Sequence, residues 1–352
     1  LEEYLPLIIT RVFITKESEN VRRKIMMKKA LGYLSILVVL SSLMAACNNS
    51  TTPPEPTVEP SVEENTPIAS NIQPTDTPLP ALPVSEDELD LVFQSFLDNM
   101  VSYSAISVDT LYQLLNEEPP PFLLDVRFPS EVEEAGRIEG SVVIPLRNLA
   151  KDESIALLPS FDTSIIAYCG TGWRCTIAMT VLGALGWTDV QTLEEGGFGG
   201  WINAGYPTRM DLPESVPLNV AQPNPSLQAW MDDVLTIFPE GFGGVTPDIL
   251  LQAIQKAPEL IIIDVRRGEE IEEKGGIENA VHIPLESFIQ SREKWPSSKA
   301  AMVLIYSDNG HRSTIAMTIL WAYGYTGVAS LIGGFNAWVD SGYPVADVAV
   351  SE

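Results

Sequence analysis

The residues of this sequence that could do chemistry lie within one short loop, Cys169-Gly170-Thr171-Gly172-Trp173-Arg174-Cys175. Ile165 to Tyr168 before it read as a short buried strand, and Thr176 to Leu185 after it as a buried helix. Cys169 therefore stands where a strand hands over to a helix through a glycine-containing loop. Backbone N–H groups of such a loop converge on an anion, and the helix N-terminus adds partial positive charge. Both favour a thiolate, a setting that lowers a cysteine pKa from about 8.5 into the range of roughly 3.5–7.5. With Arg174 as a fixed cation, the loop predicts a nucleophilic Cys169 facing an anionic or sulfur-bearing substrate. Gly170, Thr171, Gly172, Trp173 and Arg174 would form the substrate-binding rim. The competing reading is a buried structural cysteine beside a glycine turn.

The elements that must position this loop come from a chain of 352 residues, long enough for two ordinary domains with extensions. Its formal net charge is −26, which argues against a nucleic-acid partner and against electrostatic docking on an anionic membrane. An anionic substrate would have to be captured by local groups. The cysteines are Cys47, Cys169 and Cys175 and the histidines His282 and His311, from which no zinc or iron–sulfur spacing can be built. No metal and no cofactor is expected.

Residues 1–46 read as an upstream extension followed by an export signal. Lys28 and Lys29 precede the apolar run Leu31 to Leu40, and Ala45-Ala46 precede Cys47. This part resembles a bacterial lipoprotein signal, which implies that Cys47 is lipidated and becomes the mature N-terminus. The alternative is an uncleaved membrane anchor. Either way the bulk of the protein is expected outside the cytoplasm, tethered to a membrane. Residues 47–84 are rich in Pro, Thr, Ser and Glu and read as a disordered tether. Extended by its prolines at about 3.1 Å per residue, it would reach up to roughly 100 Å.

From residue 85 the chain is built twice. Asp125-Val126-Arg127 recurs as Asp264-Val265-Arg266, and Ile144-Pro145-Leu146 as Ile283-Pro284-Leu285, both 139 residues on (264 − 125). Tyr168, Gly172, Arg174 and the run Thr176 to Thr180 return as Tyr306, Gly310, Arg312 and Thr314 to Thr318. Gly196-Gly197-Phe198 and Trp201 return as Gly333-Gly334-Phe335 and Trp338. The expected division is a first domain over 85–210, a proline-rich linker over 211–223 and a second domain over 224–348. Each copy opens on an amphipathic segment, Leu91 to Val101 and Ala229 to Phe238. Short apolar strands at Phe122 to Val126, Val142 to Ile144, 165–168 and Val190 to Leu193 then alternate with helical stretches. That alternation predicts an α/β fold with a parallel sheet covered on both faces, and ligands bind such sheets at the carboxyl ends of the strands.

Taken together, these residues resemble the rhodanese family over 104–208 and again over 244–346. The resemblance rests on the Asp-Val-Arg after the first apolar strand, the Ala135-Gly136-Arg137-Ile138 and Ile-Pro runs, the Cys-x4-Arg loop and the Gly-Gly-Phe…Trp ending. It implies two tandem α/β domains, each a five-stranded parallel sheet flanked by helices. It also implies a sulfurtransferase in which Cys169 takes a sulfane sulfur from a thiosulfate-like donor as a persulfide and passes it to a thiol or cyanide. The partner would then be a small sulfur-containing anion or a thiol. Cysteine phosphatases and arsenate reductases of this fold space the two residues as Cys-x5-Arg, a wider loop suited to a tetrahedral oxyanion, so Cys169-x4-Arg174 favours sulfur. Arg137 stands where the family usually has histidine, and Thr171 where thiosulfate enzymes of the family carry a cation.

Two residues stay open at this level. Arg174 either binds the donor's anionic end or pairs with a carboxylate such as Asp125. Cys175 is either a redox partner, resolving the Cys169 persulfide or closing a reversible disulfide, or a small capping residue like its counterpart Ser313. In the first case the protein could instead be a non-catalytic sulfur-binding or redox-sensing module. Ser307 stands at the cysteine position of the second copy, so that domain is expected to be inactive, a Ser307–His311 hydrolytic pair being conceivable there. His282, Trp201 and Trp338 are read as packing residues.

Overall fold

The computed structural model describes residue 74, residues 80–194 and residues 196–350. The expected signal segment, Cys47 and most of the 47–84 tether lie outside the described residues. Among the described residues no helix is long and apolar enough to cross a membrane.

The first copy runs α1 (Glu86–Asn99), β1 (Ala105–Ile106), α2 (Val108–Leu114), β2 (Phe122–Asp125), α3 (Pro129–Ala135), β3 (Val142–Val143), α4 (Asp152–Ile155), β4 (Ile165–Tyr168), α5 (Trp173–Ala184), β5 (Val190–Leu193) and α6 (Gly197–Asn203). The second runs α7 (Pro225–Ile237), β6 (Gly244–Val245), α8 (Pro247–Lys256), β7 (Ile261–Asp264), α9 (Gly268–Lys274), β8 (Val281–His282), β9 (Val303–Tyr306), α10 (His311–Ala322), β10 (Val328–Leu331) and α11 (Gly334–Asp340). Each copy forms a five-stranded parallel sheet, in the orders β1-β5-β4-β2-β3 and β6-β10-β9-β7-β8. The two-residue strands β1 and β6 stand in no longer apolar run, unlike the equally short β3, which Ile144 extends, so composition alone outlines only four strands in the first copy.

Local chemistry places the ends. Ser85 caps α1 by accepting from the Glu88 N–H at 3.2 Å, and three acidic residues follow in the first turn, where the helix dipole favours them. Pro129 and Pro225 sit at the first helical positions of α3 and α7, where a missing N–H costs nothing. Glu131 reaches back to the Phe128 N–H at 3.0 Å and closes the start of α3. The central strand β4 is buried along its whole length, as a strand covered on both faces must be.

The two copies share one core. A single apolar cluster runs from Leu89 and Phe93 through Ile177 and Val181 to Ile315, Ile319 and Trp321. Helix α5 packs directly on α10, so each is wrapped by its own sheet on one side and by its twin on the other. Helix α1 also reaches the Leu285–Ser287 turn of the second copy, and α7 the Leu146–Asn148 turn of the first, an isologous arrangement about a pseudo-two-fold axis. Arg147 closes that contact by donating to the carbonyls of Leu235, Thr236, Phe238 and Pro239, satisfying acceptors left over at the α7 C-terminus. Two segments read as free in sequence are held down. Val84, at the end of the expected tether, is buried, and the linker is pinned by the Leu218 and Asn219 N–H groups on the Ala156 carbonyl at 2.7 and 2.9 Å.

Candidate active site

Strand β4 delivers Cys169 to the carboxyl edge of the first sheet, and the chain turns at once into α5. The turn depends on Gly172, which caps α5 in a left-handed conformation (φ 100°) that a side chain would strain. Its N–H donates to the Cys169 sulfur at 3.2 Å, and the N–H groups of Thr171 and Cys175 also hydrogen-bond that sulfur. Cys169 is fully buried. Burial pushes its thiol up, but the hydrogen bond from the Cys175 thiol, the backbone N–H groups of Cys175 and Thr171 and the nearby Arg174 charge outweigh it. The balance brings Cys169 down to about 6. Thr171 is the exposed residue of the loop, while Gly170, Gly172, Trp173 and Arg174 are half-buried.

Arg174 is held by a carboxylate, and the partner is Glu131 of α3 in place of Asp125. Its two terminal nitrogens donate to the two Glu131 oxygens at 2.6 Å each, and its guanidinium lies 5.5 Å from the Phe128 ring centre. Asp125 is committed to Arg127, which it accepts from at 2.9 and 2.6 Å, and Arg127 also donates to the Gly136 carbonyl at 2.7 Å. The Asp-Val-Arg motif is thus a buried brace at the end of β2. Arg137 does structural work as well, donating to the Asp211 carbonyl at 2.8 Å.

Behind the loop, the Gly-Gly-Phe motif works as a clamp. The Phe198 N–H donates to the Cys169 carbonyl at 2.8 Å and the Gly199 N–H to the Gly170 carbonyl at 3.2 Å. A Cβ on Gly197 would stand 2.5 Å from the Cys169 carbonyl oxygen, so only glycine allows the approach. In the sequence this motif reads as a repeat and as a mark of the family resemblance, with no place in the site. Its near-constant spacing from the cysteine position, 27 residues in the first copy and 26 in the second (196 − 169 and 333 − 307), is the signal that it belongs to the site.

The second copy reaches the same loop. The Trp173 indole N–H, expected on the substrate rim, instead donates to the Phe242 carbonyl at 3.1 Å, and the Phe242 ring lies 6.5 Å from that of Phe128. The reciprocal contact links His311 to the Tyr103 carbonyl at 2.8 Å, with Arg312 5.1 Å from the Tyr103 ring centre. Phe242 and Tyr103 occupy matching positions, 139 residues apart (242 − 103), and both adopt φ 54°. A left-handed bulky residue is costly and persists only where its surroundings over-determine it. Here each cross-domain contact fixes it.

In the second copy the cradle is intact around a hydroxyl. Ser307 Oγ accepts from the Gly310 N–H at 3.1 Å and the Ser313 N–H at 3.3 Å, and Arg312 is held by Glu270 at 2.6 Å and by Asp308 at 2.9 Å. A Ser307–His311 pair does not form. The two His311 ring nitrogens are engaged by Thr176 Oγ1, at 2.9 Å, and by the Tyr103 carbonyl. His282, Trp201 and Trp338 are buried, the two indoles donating to Pro207 and Pro344 carbonyls.

The rhodanese-like domain family matches residues 107–204 and 246–341. A sulfurtransferase of Allochromatium vinosum is 29% identical over 101 residues, 29% of this chain and 92% of that protein. The thiosulfate sulfurtransferase GlpE of Coxiella burnetii is 34% identical over 92 residues, 26% of this chain and 82% of that protein. Among solved structures, a rhodanese-related protein of Thermoplasma volcanium is 30% identical, covering 30% of this chain and 98% of its own, with a TM-score of 0.27.

Proposed function

Because the chain belongs to the rhodanese-like domain family and carries its domain twice, we propose that the first copy is a sulfurtransferase with Cys169 as its nucleophile. The observation that carries this reading is the Cys169 sulfur under converging N–H groups, with its thiol brought down to about 6. At neutral pH the group is then mostly thiolate and ready to attack. Its sulfur attacks the outer sulfur of a thiosulfate-like donor. The new S–S bond forms as the donor's own S–S bond breaks, and sulfite departs with the electron pair. Cys169 is left as a persulfide, whose charge the N–H groups of the loop stabilise. A thiol or cyanide then attacks the outer sulfur and returns the Cys169 thiolate. No proton has to be removed from Cys169 and no histidine base is needed.

Arg174 acts in this scheme through its charge and through the shape of the loop, since Glu131 occupies its donor edge. With Thr171 at the exposed rim, the site offers an anionic donor backbone N–H groups more than a side-chain cation. The second copy, with Ser307, cannot carry a sulfane sulfur and contributes packing and the Phe242 contact. Cyanolysis by the full-length chain tests the proposal. Sulfur transfer is expected from the wild type and none from Cys169→Ser, and equal rates from the two would sink it.

A further inference from the structure

Three side chains stand in a row in the second copy, and their counterparts recur in the first. In the second, Ser307 Oγ lies 3.4 Å from Ser313 Oγ, which in turn accepts from Ser330 Oγ at 2.8 Å. The same three positions of the first copy hold Cys169, Cys175 and Thr192. Gly172 spans the two sulfurs: its N–H donates to Cys169 at 3.2 Å and its carbonyl accepts from the Cys175 thiol at 3.0 Å. With Cys169 ionised, the single Cys175 thiol proton is shared between the Gly172 carbonyl and the Cys169 sulfur. Thr192, where the twin has its donating Ser330, buries an Oγ1 with no hydrogen-bond partner. A position that needed only a small capping group is filled by serine in the second copy. In the first, two sulfurs take the places of the two hydroxyls, and the hydroxyl at the third position has nothing yet to bond.

We propose that Cys175 is a resolving thiol, which attacks the Cys169 sulfur of the persulfide, releases the outer sulfur as sulfide and closes a Cys169–Cys175 disulfide. This inference rests on the persulfide reading above. The Cys175–Cys169 S–S bond forms as the bond from Cys169 to the outer sulfur breaks. The outer sulfur leaves with the electron pair and takes the proton that Cys175 gives up, departing as hydrosulfide. The sulfane sulfur is reduced to sulfide while the two cysteine sulfurs are oxidised to the disulfide, so no outside oxidant enters. A dithiol reductant then restores both thiols by exchange. The first copy thereby gains a second output: sulfide, produced without an external sulfur acceptor.

The resting site holds this step back. Burial pushes the Cys175 thiol up, and the hydrogen bond to Cys169 and the Cys169 charge push it further, so Cys175 stays protonated beside a free thiolate. Once Cys169 carries a sulfane sulfur, the negative charge moves one atom outward and the repulsion against a Cys175 thiolate falls. The Thr192 hydroxyl, at the position from which Ser330 donates to Ser313 in the twin, is the donor offered to the sulfur that loses its proton. Loading of Cys169 is therefore the event that frees its neighbour.

The experiment loads the reduced full-length chain with inorganic polysulfide, removes the excess and adds no acceptor. Sulfide release is followed in solution, and digests are mapped by mass spectrometry for a Cys169 persulfide and a Cys169–Cys175 crosslink. The wild type is expected to lose its persulfide, release one sulfide per persulfide lost and gain the crosslink. Cys175→Ser, which installs the residue its twin already carries, is expected to keep the persulfide and release none. Equal persistence of the persulfide in both proteins would overturn the inference, as would sulfide release without the crosslink or a sulfane sulfur found on Cys175. Failure of both proteins to accept sulfur at Cys169 would instead sink the persulfide reading, and this step with it. Loading of Cys175→Ser tells the two failures apart.

Discussion

Removing the Cys175 hydrogen bond tests the electrostatics of the site most directly. The Cys169 thiol sits at about 6 because donors to its charged form outweigh its burial, and the Cys175 thiol is the leading one of them. A hydrogen bond to a charged group is worth about 1.5–3 kcal/mol, and a thiol is a weak donor, which places this one near the low end. One pKa unit corresponds to about 1.4 kcal/mol. Cys175→Ala should therefore raise Cys169 by about one unit, to about 7. The reactive form is the thiolate, so the profile moves to higher pH, and at pH 7 the thiolate fraction falls from about nine-tenths to about one half. Cys175→Ser keeps a donor at the same place and should stay close to the wild type. The assay is an ultraviolet titration of thiolate absorbance, with Cys169→Ser as the blank. An alanine variant that still titrates near 6 would refute the reasoning, because the N–H groups and Arg174 would then suffice. So would a serine variant that shifts as far as alanine.

Two further substitutions probe the frame and the silent copy. Gly197→Ala places a Cβ at φ +55°, 2.5 Å from the Cys169 carbonyl oxygen and 3.0 Å from the Gly172 nitrogen. The left-handed conformation alone should cost about 1–2 kcal/mol, so a lower thermal midpoint and a weakened sulfur transfer are expected, and an unchanged midpoint would count against the clamp. Ser307→Cys, made in a Cys169→Ser background, puts a thiol into a ready cradle of Gly310 and Ser313 N–H groups. Because Glu270 and Asp308 together neutralise Arg312, this thiol should accept sulfur from polysulfide more slowly than Cys169 does. Loading as fast as at Cys169, measured by mass spectrometry, would show that the arginine's partners do not matter.

Sequence reading found the duplication and the fold of each copy, and it singled out Cys169 and the serine at its counterpart position, because each is written in a contiguous run. The strand–glycine–helix pattern around Cys169 needs only local propensity and spacing, and the structure places that residue at the end of β4 as expected. What it could not read were contacts between distant residues. The partner of Arg174 lies 43 positions away on another helix (174 − 131), and Asp125, nearer the eye as an acid at a strand end, is already claimed by Arg127. Trp173 looks like a rim residue from its place in the loop, yet its indole reaches the second copy. The Gly-Gly-Phe motif repeats without announcing a purpose until its N–H groups are seen on the loop carbonyls.

The sequence by itself thus determined which atom could carry sulfur in the proposed reaction, since a cysteine stands at that loop position in the first copy and a serine in the second. It also determined the parallel α/β fold of each copy, through apolar strands that alternate with helices. The tertiary structure alone decided how the two copies share one core and how Phe242 comes to stand over the first loop. It decided, too, that Gly172 joins Cys169 and Cys175, its N–H on one sulfur and its carbonyl on the other. The contacts between the copies join residues far apart in the chain, and the contact across Gly172 depends on the loop's backbone geometry, so no local periodicity carries the information and only the assembled sheet and its twin bring the groups within bonding distance.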